Sequence, residues 1–256
     1  MLDFKKYKRF FAFGCSFTEY KWPTWADLIA REIPESYNYG LGGAGNVFMH
    51  HRFIEAHTRH RINSDDLVIV TWTNCAREDR YVNNRWICPG NIYTQTTYDV
   101  NWIKKYSDIR GYFIRDLAVI TSTKLILDGL GVDYHFHSMV PLTNIDQYAH
   151  HNVRIDDVEK LYAQTLKAIK PSYFEALFNF DWLSRQPRPR AYNNGRQYPD
   201  PHPTPTEHLE YIQKIHPGTE FSASTVQYAQ DFTTKVITDD NVNDNRYIDW
   251  PKVPRL

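Results

Sequence analysis

Short apolar runs alternate with amphipathic segments along the chain, and few folds accommodate this alternation. Residues 67–72, Leu-Val-Ile-Val-Thr-Trp, are the clearest run, with the length and apolar content typical of a buried strand. Strands that alternate with helices favour a parallel sheet covered on both faces. We therefore predict an α/β protein, a three-layer α/β/α sandwich around a mostly parallel sheet of about five strands. The predicted strands lie at 9–13, 37–39, 67–72 and 132–140, and the predicted helices at 22–33, 47–61, 111–130, 155–169, 205–215 and 222–237.

The 256 residues contain no low-complexity stretch, which predicts one domain over residues 1–256. Residues 76–110 are polar, aromatic and rich in turn formers, so we predict that they form an insertion over one face of the sheet. Residues 171–203 are rich in proline, arginine and asparagine and are predicted to form a loop. Residues 241–256 resemble a C-terminal tail docked on the surface.

Charge and cysteine content exclude several classes of protein. Thirty basic side chains balance thirty acidic ones, which gives no electrostatic reason to expect a nucleic acid or an anionic membrane as partner. No apolar stretch approaches the length of a membrane span. Cys15, Cys75 and Cys88 have neither disulfide-framework nor metal-site spacing, so free thiols are expected.

The first strand lies too close to Met1 for a signal peptide, so we expect a cytoplasmic protein, or one released without such a peptide, for example on a virus particle.

A serine near the start and an acid–histidine pair near the end predict a catalytic site. Ser16 follows the first predicted strand, and open α/β sheets bind their ligands at the carboxyl ends of strands. A hydroxyl is a poor nucleophile until a base removes its proton, and an imidazole oriented by a carboxylate is such a base. Asp200 and His202 offer that pair, which predicts a Ser-His-Asp hydrolase with an unusual chain order.

Four motifs give the sequence a resemblance to the SGNH (GDSL-like) hydrolase family, over residues 10 to about 208. The motifs are Gly14-Cys15-Ser16-Phe17, the glycine loop around Gly43, Trp72-Thr73-Asn74, and Asp200-Pro201-His202-Pro203. The resemblance implies a flavodoxin-like three-layer fold and the hydrolysis of esters, often acetyl groups on glycans or lipid esters. It implies Ser16 as nucleophile, His202 as base and Asp200 as acid. It also implies an oxyanion hole formed by the backbone N–H groups of Ser16 and Gly43 with the Asn74 amide, without metal or organic cofactor.

The sequence departs from the family pattern at three places. Cys15 stands where the family usually has aspartate. The acid and base, Asp200 and His202, are two residues apart instead of three. The third motif lacks its glycine, so Thr73 is an alternative to Asn74 in the oxyanion hole.

Other interpretations of the same residues are open. Residues 40–45 also fit Gly-x-Gly-x-x-Gly, the dinucleotide-binding pattern, but the preceding strand is short and polar and Ser16 would be left unexplained.

Cys15 is an alternative nucleophile, although only one of two adjacent residues on a turn can face the base. His208 is an alternative base, but the family pattern has the base before a proline, which selects His202. A histidine cluster, His50, His51, His57 and His60, indicates a solvated helix face more than a metal site.

Aromatic residues make up 15% of the chain, which indicates either a well-packed core or a surface that stacks on sugar rings. Trp86 and Trp102, in the predicted insertion, are the candidates for sugar contacts. We therefore predict a serine esterase that removes an acyl group, such as acetyl, from a carbohydrate. The alternative is a non-catalytic glycan-binding or structural protein that keeps the SGNH fold.

Overall fold

The computed structural model describes residues 1–94, 97–145, 153–193 and 196–238, and the predicted tail at 241–256 lies outside them. The strands in this part of the chain are β1 Arg9–Gly14, β2 Glu35–Asn38, β3 Asp66–Trp72, β4 Arg80–Val82, β5 Arg85–Ile87, β6 Asp133–Ser138, β7 Arg190–Asn193 and β8 Arg196–Pro199. The helices are α1 Trp25–Ala30, α2 Asn46–His60, α3 Val100–Tyr106, α4 Ile109–Leu130, α5 Asp156–Leu161, α6 Ala163–Ala168, α7 Tyr173–Ala176, α8 Pro205–Ile215 and α9 Ala223–Thr238.

A parallel sheet with strand order β2-β1-β3-β6 lies at the centre of the fold. Helices α1, α8 and α9 pack together, and α2, α4 and α6 form a second packed group. The predicted α/β/α fold class is thus confirmed. Within the described residues, no helix combines the length and hydropathy needed to cross a membrane.

The described parallel sheet has four strands where about five were predicted. Next to β6 the chain makes one bridge, between Phe136 and Ile169, and the Lys170 N–H donates to the Phe136 carbonyl at 2.8 Å. Pro171 follows and has no N–H to continue the ladder. Ser172 then caps the short helix α7, so the fifth position of the sheet holds a single bridge.

Burial on both faces explains the continuous apolar runs of the central strands. All seven residues of β3 are buried. In β1, Phe10 packs edge-on against Trp25 of α1, while Phe13 packs edge-on against Phe53 of α2. Phe10 and Phe13, three residues apart on one strand, thus contact helices on opposite faces of the sheet.

The predicted insertion contains the β4–β5 hairpin and α3, and its backbone contacts the glycine loop after β2. The Gly90 N–H donates to the Gly43 carbonyl at 3.0 Å, and the Ile92 N–H donates to the Ala76 carbonyl at 2.9 Å. These contacts hold the insertion beside the carboxyl ends of β2 and β3. The predicted loop at 171–203 contains α7 and the antiparallel pair β7–β8.

Candidate active site

The turn after β1 exposes Ser16 and buries its neighbour. The N–H groups of Thr18 and Glu19 both donate to the Cys15 carbonyl, at 2.9 and 3.0 Å, and close a tight turn. A Cβ atom on Gly14 would lie 2.0 Å from Thr18 Oγ1, so only glycine lets the chain fold back this closely. The Cys15 side chain lies in the core, whereas Ser16 is partly exposed.

A continuous chain of hydrogen bonds links the three predicted catalytic side chains. Ser16 Oγ lies 2.9 Å from His202 Nε2, and His202 Nδ1 lies 2.7 Å from Asp200 Oδ1. The backbone N–H of His202 also donates to Asp200 Oδ1, at 3.0 Å. An ionised Asp200 can only accept a hydrogen bond, so His202 carries its proton on Nδ1 and donates it to the carboxylate. The lone pair on Nε2 is then free to take the Ser16 proton. The two-residue spacing therefore allows the acid to reach the imidazole.

The Asp200 carboxyl is held in its ionised form. Burial alone would raise its pKa, but the hydrogen bond and charge of His202, together with the Tyr20 hydroxyl, outweigh burial and lower the pKa to about 2. The Tyr20 hydroxyl donates to Asp200 Oδ2 at 2.6 Å, and Lys21 Nζ lies 3.8 Å from the same oxygen. Asp200 thus stays an acceptor for His202 throughout the neutral range.

A buried arginine fixes the loop that carries the acid and base. Arg188 Nε donates to the Asp200 carbonyl at 3.1 Å, and Arg188 Nη2 donates to the His202 carbonyl. The same guanidinium pairs with Glu207 at 2.7 Å. Glu207 and Thr204 form a capping box at the start of α8, so the loop is tied to a helix terminus. The spacing Thr204-x-x-Glu207 is visible in the sequence, whereas the role of Arg188 is not.

The predicted oxyanion donors lie in segments that leave the same edge of the sheet. Gly43 has a φ of +80°, and a Cβ atom there would lie 2.3 Å from the Cys88 carbonyl oxygen. Its N–H has no acceptor among the described residues. Asn74 Oδ1 accepts from the Ala76 N–H at 3.1 Å, while its Nδ2 has no acceptor in the described parts of the chain. Both groups thus have a donor without an acceptor in the described residues, as donors of an oxyanion hole require.

Thr73, the alternative donor, is fully buried. Its N–H donates to Asn46 Oδ1 at 2.9 Å, and its hydroxyl faces Met139 Sδ at 3.8 Å. Since Asn46 also donates to the Thr73 carbonyl, both backbone polar groups of Thr73 are occupied. This arrangement favours Asn74 over Thr73.

The alternative base and the histidine cluster have other partners. His208 is buried, and its Nδ1 lies 2.9 Å from the Tyr173 hydroxyl. On α2, His50 bonds to Thr123 Oγ1 at 2.8 Å, and His60 bonds to the Tyr39 hydroxyl at 2.9 Å. Across residues 1–94, 97–145, 153–193 and 196–238, no three metal-ligating side chains are grouped to hold an ion.

The two tryptophans of the insertion have different surroundings. Trp86 packs against Phe48 and His51 of α2, with ring centroids 5.4 and 5.2 Å apart. Trp102 stacks on Tyr98 at 4.6 Å, and the Arg80 guanidinium lies over its ring at 5.1 Å. Trp86 is therefore a packing residue. Trp102 instead borders an open cavity of about 470 Å³, lined by Glu78, Arg80, Trp102, Tyr106 and Tyr112.

No protein-family profile matches the sequence, and no curated protein matches it. Among solved structures, the chain is similar to a GDSL-like lipase from Bacteroides thetaiotaomicron, with 13% identity and a TM-score of 0.38 over 91% of this chain and 89% of that one. It is also similar to a member of the lipolytic protein G-D-S-L family from Veillonella parvula, with 13% identity and a TM-score of 0.43 over 82% of this chain and 99% of that one. The chain itself has the parallel, helix-covered sheet that the resemblance to SGNH hydrolases implied, with Ser16 after β1 and the Asp200–His202 loop before α8.

Proposed function

We propose that this protein is a serine ester hydrolase with Ser16 as nucleophile, His202 as base and Asp200 as the acid that orients the base. One observation carries the proposal: the unbroken hydrogen-bond chain from Ser16 Oγ through both ring nitrogens of His202 to Asp200. The nucleophile–base bond and the base–acid bond are the two contacts that acyl transfer by this mechanism needs.

The reaction proceeds in two steps, acylation of Ser16 and hydrolysis of the acyl-serine. Ser16 Oγ attacks the ester carbonyl carbon while its proton passes to His202 Nε2, and the carbonyl oxygen becomes an oxyanion. The N–H groups of Ser16 and Gly43 and the Asn74 amide donate to that oxyanion. Collapse expels the alcohol, which takes the proton from His202 and leaves an acyl-serine. Water, activated by His202, then releases the carboxylic acid and restores Ser16.

The substrate class we propose is an acylated carbohydrate. The cavity beside Trp102 supports this choice, because it combines aromatic rings with the Glu78 carboxylate and the Arg80 guanidinium. Aromatic rings stack on the apolar faces of sugars, while carboxylate and guanidinium groups bind their hydroxyls. The cavity lies between the insertion and Tyr112 of α4, and the Gly90 N–H of the insertion bonds to the Gly43 carbonyl beside the proposed oxyanion hole.

A test with p-nitrophenyl acetate separates this function from that of a non-catalytic glycan-binding protein. We expect the wild-type protein to release p-nitrophenol catalytically and the Ser16→Ala variant to release it at the rate of buffer. Equal rates for the two proteins would contradict the esterase proposal. If the wild-type protein then also binds a glycan, the result would support a non-catalytic glycan-binding protein.

A further inference from the structure

Tyr20 makes two contacts with the acid–base pair that the proposed mechanism leaves unexplained. Its hydroxyl donates to Asp200 Oδ2 at 2.6 Å. Its ring stacks on the His202 imidazole, with centroids 3.8 Å apart and planes 17° from parallel. We infer that Tyr20 is a positioning residue that holds both the carboxylate and the imidazole in their reactive orientation. This role rests on the proposed esterase function.

The hydroxyl contact sets the orientation of the carboxylate. His202 uses only Oδ1 of Asp200, through both its Nδ1 and its backbone N–H. The other oxygen, Oδ2, is left with Tyr20 at hydrogen-bond distance and with Lys21 Nζ at 3.8 Å, too far for a hydrogen bond. Asp200 is almost completely buried, so water cannot readily replace a lost donor. Removing the Tyr20 hydroxyl therefore leaves a buried carboxylate oxygen unsatisfied and frees the group to rotate away from Nδ1.

The ring contact acts on the imidazole. Attack by Ser16 turns His202 into an imidazolium, and the face of an aromatic ring attracts a cation. The Tyr20 face lies against the ring in which that charge forms. The interaction is stronger in the transition state than before it, so its loss lowers kcat more than it changes KM.

The chain connects this support directly to the nucleophile. Tyr20 lies four residues after Ser16, and Trp22 packs edge-on against Tyr20 at 4.6 Å. Trp22 Nε1 donates to the Pro203 carbonyl at 2.7 Å, next to His202. One short segment thus carries the nucleophile and holds the loop of the acid and base.

The test compares Tyr20→Phe, which keeps the ring and loses the hydroxyl, with Tyr20→Leu, which loses both. We expect Tyr20→Phe to lower kcat roughly tenfold with little change in KM, since a hydrogen bond to a charged group is lost. Tyr20→Leu should lower kcat further. Two readouts accompany turnover: the rate at which a fluorophosphonate probe labels Ser16, and the low-field proton resonance of the His202 Nδ1–H bonded to Asp200.

Tyr7→Phe is the matched control. Tyr7 donates to Asp133 at the same distance, 2.6 Å, but at the start of β6, far along the strand from its carboxyl end. It should leave labelling and the resonance unchanged. If Tyr20→Phe also leaves both unchanged, the positioning role is wrong. If the wild-type protein is not labelled, yet its low-field resonance disappears in Tyr20→Phe, the positioning role holds and the esterase function is wrong.

Discussion

At the scale of single residues, Cys15 and Ser16 show how one turn separates two candidate nucleophiles. The Cys15 side chain is fully buried in the core, while Ser16 Oγ contacts the imidazole of His202. Adjacent residues of a turn point in different directions, so the base serves only one of them. The sequence left both open, and the contact with His202 favours serine.

We expect Ser16→Ala to lower ester hydrolysis by roughly 10³-fold or more, because loss of one member of a coupled nucleophile–base pair removes most of the rate enhancement. Cys15→Ala should keep most of the activity and lower the free energy of unfolding, since it removes a buried side chain. Steady-state rates and urea unfolding measure the two effects. An active Ser16→Ala together with an inactive Cys15→Ala would contradict the assignment of the nucleophile.

A second prediction concerns the base. His202→Ala should abolish hydrolysis, and Asp200→Asn should lower kcat by roughly 10³–10⁴-fold because the imidazole takes the wrong tautomer. His208→Ala should affect stability more than kcat, because His208 bonds to the buried hydroxyl of Tyr173. An inactive His208→Ala beside an active His202→Ala would reverse the two roles.

The oxyanion hole gives a third prediction. Asn74→Ala should lower kcat by roughly 10²–10³-fold with little change in KM, because its amide donates only to the transition state. Thr73→Val is the matched control, since the Thr73 hydroxyl faces Met139. A larger loss of kcat in Thr73→Val would assign the donor to Thr73 instead.

At the scale of elements, the insertion shows why two tryptophans of similar sequence context have different surroundings. Trp86 ends up against α2 because β4 and β5 pair as a hairpin over Phe48. Trp102 lies on α3, beside the cavity. Their immediate neighbours in sequence do not distinguish the two, since each follows a polar residue and precedes an isoleucine.

We therefore expect Trp102→Ala to lower turnover of acetylated oligosaccharides while sparing p-nitrophenyl acetate, because stacking acts on the sugar and not on the acyl group. Trp86→Ala, the paired variant, should lower the melting temperature and affect both substrates alike. Parallel kinetics on the two substrates test this. Equal losses on both substrates in Trp102→Ala would mean that Trp102 is a packing residue as well.

The run Arg77-Glu78-Asp79-Arg80 is a second case at this scale. In sequence it is typical of a surface ion-pair cluster. In the fold, Asp79 accepts from the N–H groups of Gly45 and Phe48, at 2.8 and 3.0 Å, and caps the start of α2. The Asp79 side chain lies so close that a Cβ atom on Gly45 would meet its Oδ2 at 2.6 Å. Gly45 therefore has to be a glycine, because Asp79, which follows β3 in the chain, caps the start of α2 at that position.

At the scale of the whole molecule, buried histidines make stability depend on pH. Burial lowers the pKa of His135 to about 4 and of His216 to about 3, and lowers the pKa values of His137 and His208 well below the usual 6.5. These rings are neutral in the folded protein, while the unfolded chain binds protons below pH 6.5. Stability is therefore lost as the pH falls below 6.5, by up to about 1.4 kcal/mol per pH unit for each histidine.

Two buried carboxyls act in the opposite direction. Burial raises the pKa of Asp116 to about 7 and also raises the pKa of Asp79, so the folded protein gains stability as these groups take up protons. The four histidines outnumber them, and we expect the free energy of unfolding in urea to fall between pH 7 and pH 5. His208→Gln should make this fall shallower. A free energy that stays constant or rises over this range would contradict the assignment of neutral buried histidines.

Local sequence signals were enough to predict the strands of the parallel sheet and the position of Ser16 after the first of them. Apolar runs such as residues 67–72 and the glycine before the turn are local signals, because strand burial and turn conformation depend on neighbouring residues. The order of strands and helices then predicted a parallel sheet, and the carboxyl end of β1 predicted the location of a site. Ser16, Asp200 and His202 could be named on these grounds together with the family motifs.

Which of these groups come into contact depends on the folded chain. Ser16 and His202 are 186 residues apart in the chain, and Tyr20 reaches Asp200 across 180. Contacts at such separations depend on how helices pack on the sheet and where loops return, which local preference does not encode. The same holds for Arg188, whose three loop and helix partners are visible only once α8 is docked. Long-range hydrogen bonds between partly buried polar groups thus assemble the candidate site, while short-range burial and turn signals specify the scaffold that carries it.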